Sequence, residues 1–494
     1  MTVPTGTLTL YVGTPSGVDD SAYRQFTYGS DPDYYVDCTR SLASAGDGSI
    51  ITPLNCNQAM AVPGGSLCWW LPLSECANGT PVAMARSTEI HTPAFQPENS
   101  GTSGNRTVHV TKWASAHLIK ANGKAAILTD DDRTEMRHDG SAPTIVEGAG
   151  AGTGCAIAGA NGRNYITYDG FFWNMEYCQI REDSGVLRPS FSTGIEFRNF
   201  AIRGISVTCA SNVVMYRPHS DTDTVLSNFY GYDFINDWTG SATPQPSLFS
   251  DCYGSWNVLI EHFEIDNIQF GIFLKGTVAG ETEEDRRFNY GTIRYGIVSN
   301  SASFIRLNDL HATEMTRVHH VLMVQSVYDA TRYSGDAFVL SAETTATRNL
   351  EAHHLTVVKV DATDPNLEGA LVAFVNGFGS NVSITDSIFD IDSGTYGKMV
   401  SFGSTLPATL DYNYYTKNGS ALTFRYNGSN STGMTDWRTA SGRDAHSTAA
   451  DTSPFVNRAS GNYRATGAAL TMSSTGGEVG AYGDLGSEVL GVAA

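Results

Sequence analysis

Short apolar runs return along the chain at a near-constant spacing. The runs FGIFLKG at 270–276, SFIRLND at 303–309 and DAFVLSA at 336–342 begin 33 residues apart. Apolar residues alternate within each run, which is the period of a β-strand with one buried face. The alternation predicts two inward columns of side chains, one after the other along the strands: Ile272, Ile305 and Phe338, then Leu274, Leu307 and Leu340.

A second pattern, apolar–polar–polar–x–x–apolar, occurs nine times with steps of 25 to 34 residues and a mean near 31. The copies begin at Ile166, Phe197, Leu226, Ile260, Ile293, Val318, Ala352, Ile384 and Leu410. Their third positions hold Tyr168, Asn199, Asn228, His262, Tyr295, His320, His354, Asp386 and Tyr412. Polar side chains repeated at one place predict a tight bend stacked from copy to copy.

This period is typical of one coil of a parallel β-solenoid with loops of variable length. Each strand would pair with its copy one coil away, at about 4.8 Å. The sequence therefore predicts an all-β parallel solenoid, and long helical patterns are scarce.

Composition narrows the function. The 494 residues carry 31 Lys and Arg against 51 Asp and Glu, a formal charge of −20. Such a chain is repelled by phosphate backbones, so nucleic-acid binding is not expected. No run of eighteen apolar residues predicts a membrane span, and MTVPTGTLTLYVGTPSG does not read as a secretory signal. None of the eight cysteines forms a CxxC pair, so they are interpreted as buried apolar residues, with pairing open to the first four in oxidising surroundings.

The two ends of the chain carry a family resemblance. The stretch YYVDCTRSLASAGDGSIITPLNCNQAMAVPGGSLCWWLP at 34–72 resembles the first coil of right-handed parallel β-helix proteins of the pectate-lyase-like superfamily. The stretch from WRTASGRDAHS to GGEVGAYG, at 437–483, is similar to the C-terminal segment of bacterial and phage β-helix proteins. The resemblance implies a right-handed, single-stranded parallel β-helix with capping segments at both ends. It implies four regions: an arm and expected anchor at 1–33, a cap with the first coils at 34–140, the β-helix at 141–415, and a C-terminal cap at 416–494.

One outward wall is the first candidate site. Alternation places Phe273, Lys275, Arg306 and Asn308 on it, with Arg306 beside Phe273 and Asn308 beside Lys275. The backbones of Lys275 and Arg306, on neighbouring strands, would lie about 8 Å apart. Both cations could then reach one sugar carboxylate. A lyase acting on uronates needs a base and a cation to stabilise the enolate-like anion, and the resembling lyases use Lys or Arg for this work. The candidate catalytic residues are Lys275, Arg306, His311 and Glu314. The candidate glycan contacts are Phe273, Asn308 and Arg317.

Other chemistry stays open. A hydrolase would need two carboxylates, for which Asp221 with Asp223 and the trio Glu261, Glu264 and Asp266 are candidates. The acidic stretches 221–224 and 129–133 are calcium candidates without an EF-hand spacing. The histidine pairs His319–His320 and His353–His354 look like metal ligands but are interpreted as bend residues. No cofactor and no metal are therefore expected.

Three functions fit these observations. The first is a virion-associated spike or fibre, resembling phage tailspikes, that binds and in one version degrades host surface polysaccharide. The resemblance implies a homotrimer that contacts other virion proteins at the phage tail or capsid surface. The second is a bacterial polysaccharide lyase or glycoside hydrolase acting outside the cell on acidic glycans. The third is a non-catalytic structural or adhesive β-helix.

Overall fold

The computed structural model describes part of the chain. The described residues are 8–9, 27–28, 32–71, 76–78, 96–111, 135–137, 158–179, 185–207, 214–216, 221–232, 235–236, 247–249, 255–266, 268, 270–275, 290–301, 303–308, 310, 314–325, 336–341, 349–359, 369–375, 381–391, 397–418 and 421–483. The chain divides into two compact units, Met1–Pro244 and Gln245–Ala494.

Unit 1 consists of short strands with one described helix. The strands are β1 (Leu8–Thr9), β2 (Thr27–Tyr28), β3 (Tyr34–Val36), β4 (Leu67–Trp70), β5 (Thr107–Thr111), β6 (Glu135–Arg137), β7 (Ala158–Gly159), β8 (Ile166–Asp169), β9 (Phe172–Gln179), β10 (Gly185–Arg188), β11 (Glu196–Val207), β12 (Val214–Tyr216), β13 (Val225–Tyr232) and β14 (Ile235–Asn236), and the helix is α1 (Cys56–Met60). β1 and β2 pair antiparallel. The series β3–β4–β5–β8–β11–β13, β6–β9–β11–β14 and β7–β10–β12 are all parallel.

Aromatic rings stack through the core of unit 1. Parallel register places His109 beside Tyr168 and Tyr168 beside Phe197. Their ring centroids lie 5.6 Å and 5.1 Å apart, with nearly parallel planes. All three side chains are buried. In-register strands therefore place equivalent inward-facing side chains directly above one another. This is the packing that a solenoid needs.

Unit 2 consists of two stacks of parallel strands. Its elements are β15 (Ser247–Phe249), β16 (Trp256–Asp266), β17 (Phe270–Lys275), β18 (Tyr290–Ser299), β19 (Ser303–Asn308), β20 (Thr316–Gln325), β21 (Phe338–Ser341), β22 (Asn349–Lys359), β23 (Ala370–Val375), β24 (Asn381–Thr385), β25 (Ile388–Ile391), β26 (Lys398–Phe402), β27 (Thr409–Asp411), β28 (Tyr414–Lys417), β29 (Thr423–Tyr426), β30 (Ser429–Thr432), α2 (Gly433–Ser441), β31 (Thr448–Ala450), β32 (Phe455–Asn457), the 3₁₀ turn η1 (Arg458–Ser460), β33 (Asn462–Ala465) and the 3₁₀ turn η2 (Gly467–Leu470). Sheet 1 is the parallel set β16, β18, β20, β22, then β24 and β25, then β27 and β28, then β31. Sheet 2 is the parallel set β15, β17, β19, β21, β23, β26 and β29, with β30 antiparallel to β29.

The two predicted inward columns are confirmed. In sheet 2, Ile272 pairs with Ile305 and Ile305 with Phe338. The second column pairs Leu274 with Leu307 and Leu307 with Leu340. All six side chains are completely buried. The fold is thus all-β and built from large parallel sheets with coil-by-coil register.

The predicted bend column has left-handed backbone at eight of its nine positions. Positive φ angles of 48° to 59° occur at Asn199, Asn228, His262, Tyr295, His320, His354, Asp386 and Tyr412. The ninth position is wrong: Tyr168 pairs with Phe197, so the residue opposite Asn199 is Gly170, with φ of 83°. Tyr168 belongs to the buried aromatic stack instead. A left-handed bend favours glycine, and the glycine in YDGF was the signal for it.

The C-terminal segment of unit 2 packs on both an edge and a face. Trp437 of α2 is buried, stacks on Phe424 at 5.2 Å, and donates from Nε1 to Asp444 Oδ2 at 2.7 Å. Beyond α2 the chain lies against sheet 1, where Phe455 and Tyr463 are 8% and 7% exposed. The apolar cluster formed there contains Leu322, Val324, Val358, Ile388, Tyr414, Phe455, Tyr463, Ala465, Ala469, Val479, Ala481 and Tyr482. Trp437, Phe455 and Tyr463 are therefore all buried in this segment.

Candidate functional site

The predicted wall has the predicted register. β17 and β19 pair so that Phe273 lies beside Arg306 and Lys275 beside Asn308. Both pairs alternate with the buried columns of sheet 2, which places their backbone positions on the opposite face of the strands. The side chain of Lys275 lies outside the described residues. Its catalytic role stays a prediction.

Arg306 lies across the ring of Phe273. Its guanidinium carbon is 5.2 Å from the ring centroid, a cation–π distance. Its Nε donates to Asn308 Oδ1 at 3.4 Å. Phe273 is 2% exposed and Asn308 7% exposed. Contact between Phe273 and a glycan stays a prediction. In this arrangement the Phe273 ring packs against the Arg306 guanidinium.

The electrostatic setting of Arg306 favours binding over proton transfer. Burial lowers the pKa of Arg306, and the negative charge of Asp336 opposes that change. Arginine starts from so high a pKa that it stays protonated at neutral pH. Among the residues that the structure describes, no carboxylate forms an ion pair with Arg306. The guanidinium is therefore a fixed cation held by a ring and an amide.

Of the remaining predicted site residues, Arg317 lies in the other sheet. Arg317 is in β20 of sheet 1, whereas Arg306 is in sheet 2. The Arg317 Nε lies 3.2 Å from Glu351 Oε2, in an ion pair whose side chains are 52% and 44% exposed. Glu314 is exposed and precedes β20, and His311 lies outside the described residues. Their roles stay predictions.

A second polar column follows the outward face of sheet 1. Register aligns Glu261, Arg294, His319, His353, Thr385 and Asp411 on successive strands. Glu261 Oε2 accepts from Arg294 Nε at 2.9 Å and from Nη2 at 2.7 Å, and these side chains are 9% and 11% exposed. At the other end His446 Nδ1 lies 2.7 Å from Asp411 Oδ2. This column was not predicted from the sequence, although each of its residues directly precedes a bend position and so follows the same spacing of 25 to 34 residues.

Four histidines form two stacked pairs beside the bend. His319 Nδ1 lies 2.8 Å from His320 Nδ1, and His353 Nδ1 lies 2.9 Å from His354 Nδ1. The rings of His319 and His353 stack at 4.9 Å, and those of His320 and His354 at 4.7 Å. His320 Nε2 lies 2.9 Å from the carbonyl oxygen of Gly483, so this nitrogen carries the proton and donates. In a neutral His320 the Nδ1 atom is then the acceptor, and His319 donates to it.

The imidazoles of His319 and His320 are held neutral. Burial, followed by the neighbouring His353, lowers the pKa of His319 to about 2. Burial and His354 lower the pKa of His320 well below its usual value. The described residues contain no group of three or more His, Cys, Asp or Glu placed to hold a metal ion. The stacked arrangement fits the bend interpretation.

Three of the five carboxylates that are candidates for hydrolysis make structural contacts. Glu261 is bound by Arg294, as described above. Asp221 is completely buried, and its Oδ1 accepts from the backbone N–H of Ser192 at 3.0 Å. Asp266 Oδ1 accepts from Ser299 Oγ at 2.6 Å. A hydrolase needs one protonated and one ionised carboxyl facing a sugar, and a hydrolytic role for the candidate carboxylates stays a prediction.

Comparison with known proteins adds no relative: no family model, curated protein or solved structure matches the chain. No helix in the described ranges is long and apolar enough to cross a membrane. Any functional argument therefore starts from the chain's own residues.

Proposed function

We propose that this protein is a right-handed parallel β-helix of a virion spike or fibre, and that it binds acidic polysaccharide on a host surface. One observation carries the glycan-binding part: Arg306 is fixed across Phe273 and joined to Asn308, with no ion-pair partner in the described chain. The resemblance of the C-terminal segment to bacterial and phage β-helix proteins supports the virion part. The proposal includes a homotrimer and end caps at 34–140 and 416–494, the latter supported by Trp437 stacking on Phe424.

A guanidinium held in this way suits a sugar carboxylate. Its planar N–H groups match the two oxygens of a carboxylate, and hydrogen bonds to ionised groups are stronger than neutral ones. The Phe273 ring and the Asn308 amide restrict the rotation of Arg306, so less side-chain entropy is lost when a ligand binds. A neutral sugar would gain little from this cation, so selectivity for uronates is expected.

Arg425 provides a matched control. The outward column of sheet 2 runs from Arg306 through Val339, Ala373 and Ser401 to Arg425. Four strand spacings separate the two arginines, roughly 19 Å. Both substitutions to alanine remove one positive charge from the same column. Only Arg306 lies across Phe273.

The test measures binding of uronate oligosaccharides and of their carboxyl-reduced counterparts by isothermal titration calorimetry. Arg306→Ala is expected to weaken uronate binding by about 10- to 100-fold, which is the range for a hydrogen bond to a charged group. Arg306→Lys keeps the positive charge but lacks the paired N–H donors of the guanidinium. Its affinity should therefore fall between those of wild type and Arg306→Ala. Arg425→Ala should change affinity less than threefold. Equal affinity of wild type and Arg306→Ala, or no binding to any uronate tested, would refute the proposal.

The same samples separate binding from lyase chemistry. A lyase leaves a 4,5-unsaturated uronate that absorbs in the ultraviolet. If the protein is a lyase, Lys275→Ala should lower its turnover by about 10²–10⁴-fold. A protein that only binds produces no such product with either chain. We propose binding because a guanidinium held as a fixed cation suits recognition of a carboxylate, whereas a base at Lys275 stays a prediction.

A further inference from the structure

Three cysteines gather at the first coil of unit 1. Cys38 follows β3 and is 1% exposed, Cys56 opens α1 and is 1% exposed, and Cys76 is half-buried. A fourth, Cys68 in β4, is completely buried. All four are free thiols. Sequence spacing alone did not distinguish which of them would meet.

A set of hydrogen bonds holds residues 76–78 against residues 37–39. The backbone N–H of Ala77 donates to Asp37 Oδ2 at 2.8 Å. The backbone N–H of Asn78 donates to Thr39 Oγ1 at 3.0 Å, and the Asn78 side chain donates from Nδ2 to the Thr39 carbonyl at 3.0 Å. The acceptor residues Asp37 and Thr39 flank Cys38, and the donor residues Ala77 and Asn78 directly follow Cys76. The bonds therefore bring the chain positions of Cys38 and Cys76 side by side.

The surroundings keep these thiols protonated in the folded protein. The hydrogen bond with Cys38, together with burial, raises the pKa of the Cys76 thiol far above its usual range. Burial, and then the charge of Asp37, raises the pKa of Cys56 to about 12. Because the thiolate is the nucleophile in disulfide exchange, reaction at neutral pH is slow and accelerates as the pH rises.

We propose that Cys38 and Cys76 form a disulfide when the protein meets an oxidising medium, and that the bond staples residues 76–78 to the first coil. With glutathione disulfide as oxidant, the Cys76 thiolate attacks one sulfur and releases one glutathione thiolate. The Cys38 thiolate then attacks the Cys76 sulfur of the mixed disulfide and releases the second glutathione. The two cysteines lose two protons and two electrons, and one glutathione disulfide becomes two glutathiones.

The staple would stabilise unit 1. A disulfide lowers the entropy of the unfolded chain, the more so for a long enclosed loop, and this one encloses residues 39–75. The three hydrogen bonds already bring the segments together, so little native strain is expected. The inference does not rest on glycan binding, because unit 1 contains neither Arg306 nor its neighbours.

The test incubates the full-length protein with glutathione disulfide at pH 7 and pH 9 and maps disulfides by mass spectrometry without reduction. A cross-linked peptide joining Cys38 to Cys76 is expected, forming faster at pH 9. Cys76→Ser should abolish it, whereas Cys68→Ala, which removes a buried thiol from the neighbouring strand, should leave it. Oxidation should raise the melting temperature of unit 1 by on the order of 5–10 °C, from the entropy of a loop of this length.

Two results would overturn the proposal. One is a map in which Cys76 is joined to Cys56 rather than to Cys38. The other is the absence of any Cys38–Cys76 peptide after the protein has also been refolded in glutathione redox buffer, a condition in which burial no longer limits the reaction. A cross-link that forms without raising the melting temperature would refute the stapling part alone.

Discussion

Acid should weaken unit 1 through one buried histidine. His109 is completely buried between Trp70 and Tyr168, and its Nδ1 accepts from Trp70 Nε1 at 3.3 Å. Burial lowers the pKa of His109 to about 3 from an ordinary value of 6.5. The folded state therefore resists protonation that the unfolded state accepts. Stability is fully present above pH 6.5 and is lost as the pH falls from there towards 3.

The size of the effect follows from the two pKa values of His109. At pH 5 the unfolded histidine is mostly protonated and the folded one is almost entirely neutral. Proton binding therefore favours the unfolded state over the folded state by a factor of about 30. This factor corresponds to about 2 kcal/mol of stability lost relative to pH 8. His109→Phe keeps an aromatic ring in the stack and removes this proton. It also removes the acceptor of the Trp70 indole, so a loss of about 1–3 kcal/mol at all pH values is expected.

Hydrogen exchange on β5 measures this directly. The Val108 and Val110 amides flank His109, and opening of β5 exposes all three. After correction for intrinsic exchange, wild-type protection should fall about 30-fold more between pH 8 and pH 5 than protection in His109→Phe. The exposed His446 in unit 2 gives the control, since His446→Gln should leave the pH dependence at β5 unchanged. Equal pH dependence in wild type and His109→Phe would refute the reasoning.

Three further substitutions test packing in unit 2 by denaturant unfolding. Trp437→Ala removes a fully buried indole and should cost about 3–5 kcal/mol; a loss below 1 kcal/mol would contradict its role. Gly296→Ala would place a Cβ 2.1 Å from the Phe263 ring, so overpacking of about 1–3 kcal/mol is expected, and a neutral result would count against the tight coil spacing. Arg458 Nη1 lies 3.0 Å from Oδ2 of the buried Asp390, so Arg458→Ala should cost about 3–5 kcal/mol of stability. The double variant Asp390→Leu with Arg458→Met should recover most of this loss. No recovery would show that the broken ion pair is not the cause.

The inward columns could be predicted from the sequence because two simple periods fix them. Alternation along a strand decides which side chains turn inward, and the coil length decides which of them meet. Ile272, Ile305 and Phe338 satisfied both periods and pair as predicted. Tyr168 failed because the pattern was started two residues too early, and Gly170 occupies the bend instead.

The outward wall was predictable only as a backbone register. Register placed Arg306 beside Phe273, but sequence spacing does not show whether the ring is open or covered. Side-chain rotamers and packing decide that, and Arg306 covers it. Arg317 is near Arg306 in sequence, yet it lies in the other sheet. Neighbours along a solenoid chain therefore need not share a site, whereas residues one coil apart do.

The bend column shows where function should not be sought. A non-glycine residue in left-handed backbone costs of order 1 kcal/mol, and this cost recurs at each coil. Contacts along the stack offset it: Asn199 Nδ2 donates to Asp169 in unit 1, and His320 stacks on His354 in unit 2.

Amides and aromatic rings thus serve the same position, because each bonds or stacks with the next coil. Their polarity is explained by the backbone, so the polar bend residues need no ligand. Charged residues on the outward faces have no such backbone requirement, and Arg306 also contributes nothing to the inward columns. A substitution there leaves the inward columns unchanged, which is why the glycan-binding proposal is placed on that face.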